Sequence, residues 1–204
     1  MITGPDFIWL HFPKTGGTEV AAVLQARFGE NSRLAFDTDG AIWHHSIAER
    51  QRHDPGFVAG GRAVICGFRR LVPWLISRVE FEVRRNPQHR VTRAMVRQGR
   101  FLEASGIECR ADAYARKYSE HPVAAWIRQE HLVEDFCAAF APHLRFDPAR
   151  IQGRFHQRNA SPPGAIRDPV FWFTPEEMAE LYAANPVWAG LERQLYGATL
   201  AEAA

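Results

Sequence analysis

Pro13-Lys14-Thr15-Gly16-Gly17-Thr18 brings a cation, hydroxyls and paired glycines together directly after the apolar run Phe7-Ile8-Trp9-Leu10-His11-Phe12. These are the parts of an anion site. Gly16 and Gly17 carry no side chain to keep a phosphate away from the backbone N–H groups. Lys14 adds a mobile charge, and Thr15 and Thr18 add O–H donors. The run before this loop reads as a buried strand, and residues 19–28, with Val20, Leu24 and Phe28 at helical spacing, read as an amphipathic helix. The loop therefore opens a helix, whose unpaired N–H groups and dipole favour negative charge. An ordinary strand, turn and helix can also contain Lys-Thr-Gly-Gly, but it has no need for charge, hydroxyls, glycines and helix start to agree on one task.

The order of residues sets this loop apart from the common nucleotide loop. In G-x-x-x-x-G-K-[ST] the lysine follows the last glycine, next to the hydroxyl that holds magnesium; here the lysine comes first. Residues 13–18 resemble instead the 5'-phosphosulfate loop of sulfotransferases that use 3'-phosphoadenosine 5'-phosphosulfate (PAPS), particularly the carbohydrate sulfotransferases. The resemblance implies an α/β fold of the P-loop-containing nucleotide hydrolase type, with a central parallel sheet flanked by helices. It also implies PAPS as donor, no metal, and a hydroxyl-bearing acceptor, a sugar.

A donor with phosphate at both ends needs a second grip. Residues 63–68, Ala-Val-Ile-Cys-Gly-Phe, read as another buried strand, and Arg69 stands at its carboxyl end, where ligands of open α/β sheets bind. The planar fork of Arg69 suits phosphate oxygens, and Ser77 falls about two helical turns further on. The spacing from Arg69 to Ser77 resembles the families' second signature, roughly Arg-x-Pro-x-x-Arg-x-x-Ser. Pro73 falls two residues late against that pattern, and Trp74 stands where the second arginine would be, which brings Arg70 into play at the adenosine end.

Transfer to an alcohol also needs a proton acceptor, and histidine is most easily poised for this at neutral pH. His44-His45-Ser46 resembles the His-x-Ser element between the donor motifs of carbohydrate sulfotransferase relatives, which makes His44 the expected base and His45 the runner-up. His11 reads as a supporting or core residue. Residues 128–136 and Asn159-Ala160-Ser161 resemble later family segments; Glu130 reads either as a group that orients a base or an acceptor hydroxyl or as a carboxylate placed at a helix N-terminus. In the implied mechanism His44 takes the acceptor proton and Lys14, the loop N–H groups, Thr15 and Thr18 stabilise the departing phosphate. Arg69 and Ser77 hold the 3'-phosphate.

The elements that must position these residues follow from pattern and punctuation. Residues 33–36 read as a short strand, and Ser46 with Glu49 as a capping box opening a short helix. Pro73 starts a helix over residues 74–81. Leu132, Phe136 and Phe140 mark another helix, ended by Pro142. Thr174-Pro175-Glu176-Glu177 opens a further one, and a last helix runs from Asn185-Pro186 to a stop at Gly197. Residues 84–118 lack strand signals and carry Arg84, Arg85, Arg90, Arg93, Arg97 and Arg100, either as solvated helix faces or as a basic wall for an anionic acceptor. Residues 154–168 are loop by composition.

Composition bounds the rest. A chain of 204 residues, 46% hydrophobic and 24% charged, suits a single domain over residues 1–204. A net charge of +2 gives no case for nucleic acid. Cys66, Cys109 and Cys137 form no C-x-x-C pair, so neither a disulfide framework nor a zinc site is indicated. No leader and no membrane span are legible, and a cytoplasmic enzyme is expected. The rival classes are a small ATP-dependent kinase, which would need magnesium, and a non-enzymatic binder of anionic polymers built on the arginine-rich stretch.

Overall fold

The computed structural model describes residues 1–103, 105–155 and 168–203. In chain order the elements are β1 (Ile2–Thr3), β2 (Phe7–Leu10), α1 (Gly17–Phe28), β3 (Ala35–Phe36), α2 (Ile47–His53), β4 (Ala63–Phe68), α3 (Leu71–Arg85), α4 (Arg93–Arg97), β5 (Arg100–Leu102) and β6 (Glu108–Arg110). They continue with α5 (Ala111–Ser119), β7 (Ala125–Arg128), a 3-10 turn (Gln129–His131), α6 (Leu132–Phe140), α7 (Pro148–Gln152), α8 (Pro169–Trp172), α9 (Pro175–Ala184), α10 (Pro186–Tyr196) and α11 (Leu200–Ala203).

The fold is α/β, built on a five-stranded sheet in the order β3-β1-β2-β4-β7 with helices flanking it. Strands β2, β4 and β7 run parallel, in register Leu10 to Cys66 and Phe68 to Arg128, so their carboxyl ends share one edge. The sheet is mixed rather than wholly parallel, because β1 pairs antiparallel with both β2 and β3. The reading of residues 33–36 as a strand corresponds to β3, which is shorter. Every residue of β2 is buried, as a strand covered on both faces requires.

Alternation along the strands sorts the core. Phe7, Trp9, Ile65 and Ile127 belong to one hydrophobic cluster with Val20 and Leu24 of α1 and Phe136 and Phe140 of α6. Phe7 meets Phe140 edge to face at 5.4 Å. Burying each such ring is worth roughly 2–3 kcal/mol. Gly67 lies at the end of this face, and the side chain of Thr15 occupies the space a larger residue would take.

By its contacts the chain divides into two compact units, one made of Met1–Phe68 and the stretch from Tyr118, the other of Arg69–Lys117 and helices α8 to α11. The first holds the sheet. In the second, α3 begins at Leu71, three residues before the expected start, and Pro73 lies within its first turn. Trp74 is fully buried beside Trp188 and Phe101, with ring centroids 4.5 and 5.6 Å away. Residues 84–118 are not free of strands: β5 and β6 form an antiparallel pair in register Arg100 to Arg110. Within this unit Arg97 and Arg93 pair with Glu177, and Arg100 with Glu108, so these three of the six arginines meet carboxylates locally. Both capping boxes, at Ser46 and Thr174, are formed, and Gly197 closes α10 in the left-handed conformation. Residues 159–161 lie outside the described chain, as does most of the 154–168 loop. Among the described residues no helix is long and apolar enough to cross a membrane.

A Cβ at Gly67 would sit 2.3 Å from Thr15 Oγ1, whereas one at Gly40 would meet nothing within 4 Å. Gly67→Ala is expected to cost about 2 kcal/mol or more, as overpacking does, and to lower the melting temperature by at least about 4 °C. Gly40→Ala should leave it within about a degree, and thermal denaturation followed by circular dichroism reads both.

Candidate functional site

The loop between β2 and α1 is a tight turn whose shape comes from a few identifiable constraints. Lys14 has φ of +65°, the one non-glycine residue on left-handed backbone among those described, and Gly16 follows at +82°. A left-handed lysine costs about 1 kcal/mol or more, and such strain persists only where neighbours impose it. Here Thr15 imposes it: its fully buried hydroxyl donates to the Phe12 carbonyl at 2.8 Å and closes the turn. The one proton of the Thr15 hydroxyl is thus engaged inside the loop. Pro13 is buried as well, while Lys14, Gly16 and Thr18 are half-buried.

Gly16 is the N-cap of α1, and its carbonyl accepts from Glu19 N–H at 2.9 Å and Val20 N–H at 3.2 Å. The N–H groups of Gly17 and Thr18 precede the helical ladder and lie at its positive end. A Cβ at Gly16 would come within 3.2 Å of Leu132 and 3.4 Å of Gln129, so the turn after β7 lines the loop. Gly17 also meets a packing demand that the sequence does not show. A Cβ there would stand 2.0 Å from His11 Cδ2, so the glycine admits the buried imidazole.

His11 links the loop to the candidate base. The His11 and His44 rings lie 4.5 Å apart, and His44 Nδ1 is 2.8 Å from the His11 carbonyl. A carbonyl only accepts, so the neutral His44 ring carries its proton on Nδ1 and its lone pair on Nε2, the form a general base needs. Tyr118 fixes the same region. Its hydroxyl donates to the His44 carbonyl at 2.6 Å, and its ring stacks on Phe12 with centroids 4.4 Å apart. Ser46 Oγ accepts from Glu49 N–H within the capping box and donates to Glu120 Oε1 at 2.7 Å. His45 points to other company, meeting His53 of α2 with centroids 5.4 Å apart. Tyr118 carried no signal in the sequence, since its partners Phe12 and His44 are distant along the chain.

At the carboxyl end of β7, Asp135 accepts from the backbone N–H, Nε and Nη2 of Arg128, each at 2.8 Å. Burial opposes the charge on Asp135, but these bonds outweigh it and hold its carboxyl below the usual range. Glu130 is exposed.

Loop and His44 belong to the first unit, Arg69 and Ser77 to the second. Arg69, half-buried, follows β4 directly, and its carbonyl accepts from Trp188 Nε1 at 3.1 Å. Ser77 is half-buried on α3. The structure answers the question of Arg70 and Trp74 within that unit. Arg70 pairs with Glu192 and bonds the Ala198 carbonyl, both at 3.0 Å, while its guanidinium lies 4.2 Å from the Tyr196 ring centre. Trp74 is core. Glu192, whose pKa burial raises, also accepts from Leu71 N–H and Tyr182 Oη, so it anchors the start of α3. Among the described residues no group of three or more His, Cys, Asp or Glu side chains is arranged to hold a metal.

Burial first, then His44 and the N-terminal amine, hold the His11 ring well below the ordinary histidine range. In the unfolded chain His11 titrates near pH 6.5, so below that pH the unfolded state binds more protons and stability falls with acidification. The melting temperature should therefore drop between about pH 6.5 and 5, and the drop should be shallower in His11→Gln, as calorimetry across that window will read. Comparison of the chain with protein-family models, curated proteins and solved structures returns no match.

Proposed function

We propose that the protein transfers a sulfuryl group from PAPS to a hydroxyl of a sugar acceptor, on a sheet of the P-loop type. The observation that carries this reading is the lysine-first loop. It leaves a parallel strand, turns through left-handed Lys14 and Gly16, and starts α1 with the Gly17 and Thr18 N–H groups outside the ladder. His44, with its lone pair on Nε2, supports it independently.

PAPS supplies an activated sulfuryl group with adenosine 3',5'-bisphosphate as leaving group. Lys14 and the N–H groups of Gly17 and Thr18 hold the 5' side and offset the charge that gathers on the departing phosphate. Thr15 keeps that turn closed. Arg69 and Ser77, by their spacing in the sequence, take the 3'-phosphate. His44 Nε2 accepts the proton of the acceptor hydroxyl as its oxygen bonds to sulfur and the sulfur–phosphate oxygen bond breaks. The protonated His44 returns that proton to water. The free thiols of Cys66, Cys109 and Cys137 fit a reducing, cytoplasmic setting.

Thermal-shift titration tests the reading. Adenosine 3',5'-bisphosphate at a hundredfold excess over its Kd should stabilise the fold by about 2.7 kcal/mol, and AMP or ADP at the same concentration by much less. Stabilisation by ATP only with magnesium would point to a kinase, and a shift by heparin alone, lost in salt, to a polymer binder. With PAPS as donor, Lys14→Ala should lower turnover by about a hundredfold or more. His44→Ala should slow transfer while sparing nucleotide affinity, and the same result for His45→Ala alone would reassign the base.

A further inference from the structure

Next to His44 stands a large aromatic surface that the transfer chemistry leaves unused. Trp43 is 37% exposed, although most of the protein's other tryptophans are covered. It is exposed but held: Nε1 donates to the Asp37 carbonyl at 3.0 Å, and Asp37 is ion-paired with Arg50 of α2. The indole meets His11 and His44 at steep angles, with centroids 5.5 and 6.5 Å away. A fixed indole whose N–H is already bonded offers a ligand only its π face and apolar edge.

We propose that Trp43 is the acceptor platform, on which a pyranose ring stacks its C–H face and presents a hydroxyl to His44 Nε2. The proposal rests on the transferase reading for the role of His44 and deepens it by naming what holds the acceptor. Its chemistry favours a sugar over a planar phenol. Thr38 and Asp39, both exposed on the stretch that leads to Trp43, carry a hydroxyl and a carboxylate, one oxygen of which accepts from Ala41 N–H at 2.8 Å. A polyhydroxylated ring uses such a polar rim, whereas a phenol would need the face alone.

Protein labelled with 5-fluorotryptophan tests this without donor or turnover, the Trp43 resonance being assigned by its loss in Trp43→Phe. Methyl glycosides of glucose, galactose and N-acetylglucosamine, together with free glucuronic acid, are titrated in turn, with phenol and adenosine 3',5'-bisphosphate in separate arms. At least one saccharide should move the Trp43 signal along a saturating millimolar curve. By saturation-transfer NMR the same saccharide should bind Trp43→Ala roughly tenfold more weakly, about the free energy of one aromatic stack, and Trp43→Phe by less. If Trp43→Ala fails to fold, the labelled wild-type protein still decides. A Trp43 signal that moves with phenol or nucleotide but with no saccharide, or that moves with nothing, overturns the platform. Saccharide binding at Trp43 without any sulfuryl transfer would remove the transferase reading and leave the platform standing. Transfer to a sugar with an unmoved Trp43 signal would do the reverse.

Discussion

The seat of Thr15 on Gly67 is the contact on which the rest depends. Two parallel strands, β2 and β4, run side by side, and at the end of β4 the side chain is missing where the loop from β2 folds over. Thr15 fills that space and spends its proton on the Phe12 carbonyl. The turn is thereby closed from within, and Lys14 is driven onto left-handed backbone at a cost that the surrounding packing offsets. The Thr15 hydroxyl oxygen and Cβ are the atoms that fill the seat, and an alanine at position 67 would remove it.

From that closed turn the arrangement spreads through direct contacts. Gly17 admits the His11 ring, the His11 carbonyl accepts from His44 Nδ1, and Tyr118 ties the His44 backbone while stacking on Phe12. A neutral, buried His11 suits this position. A second positive charge beside His44 would disfavour protonation of the base just when it must accept a proton. The loop and the histidine are thus coupled by packing and hydrogen bonds within the unit that holds the sheet.

Much of this could be read from local pattern. The buried runs from Phe7 and from Ala63, the helix after the glycines, and the capping boxes at Ser46 and Thr174 are encoded in neighbouring residues, and the structure forms each of them, the first strand stopping at Leu10, two residues before its apolar run ends. What escaped depends on distant partners or on very short elements. Strand β1 has only Ile2 and Thr3, too few for a period, so the mixed character of the sheet was hidden. Strands β5 and β6 are hidden by the charges of Arg100, Glu108 and Arg110 in three-residue segments too short to show a period; Arg100 and Glu108 pair across the ladder. Arg70 came into play at the donor site because a motif nearly fitted and Trp74 stood in place of its second arginine, yet Arg70 pairs with Glu192 and Trp74 packs on Trp188, both more than a hundred positions away. Gly17 and Thr15 were expected to serve an anion directly, and only three-dimensional contact shows that His11 and Phe12 engage them.

The most direct measurement is an amide-resolved NMR titration of the folded protein with adenosine 3',5'-bisphosphate. The N–H signals of Gly16, Gly17 and Thr18 should move downfield together and saturate with a single affinity, as groups that take up hydrogen bonds to an anion do. Saturable binding that leaves these amides in place while shifting others would contradict the assignment of the loop as the phosphate grip.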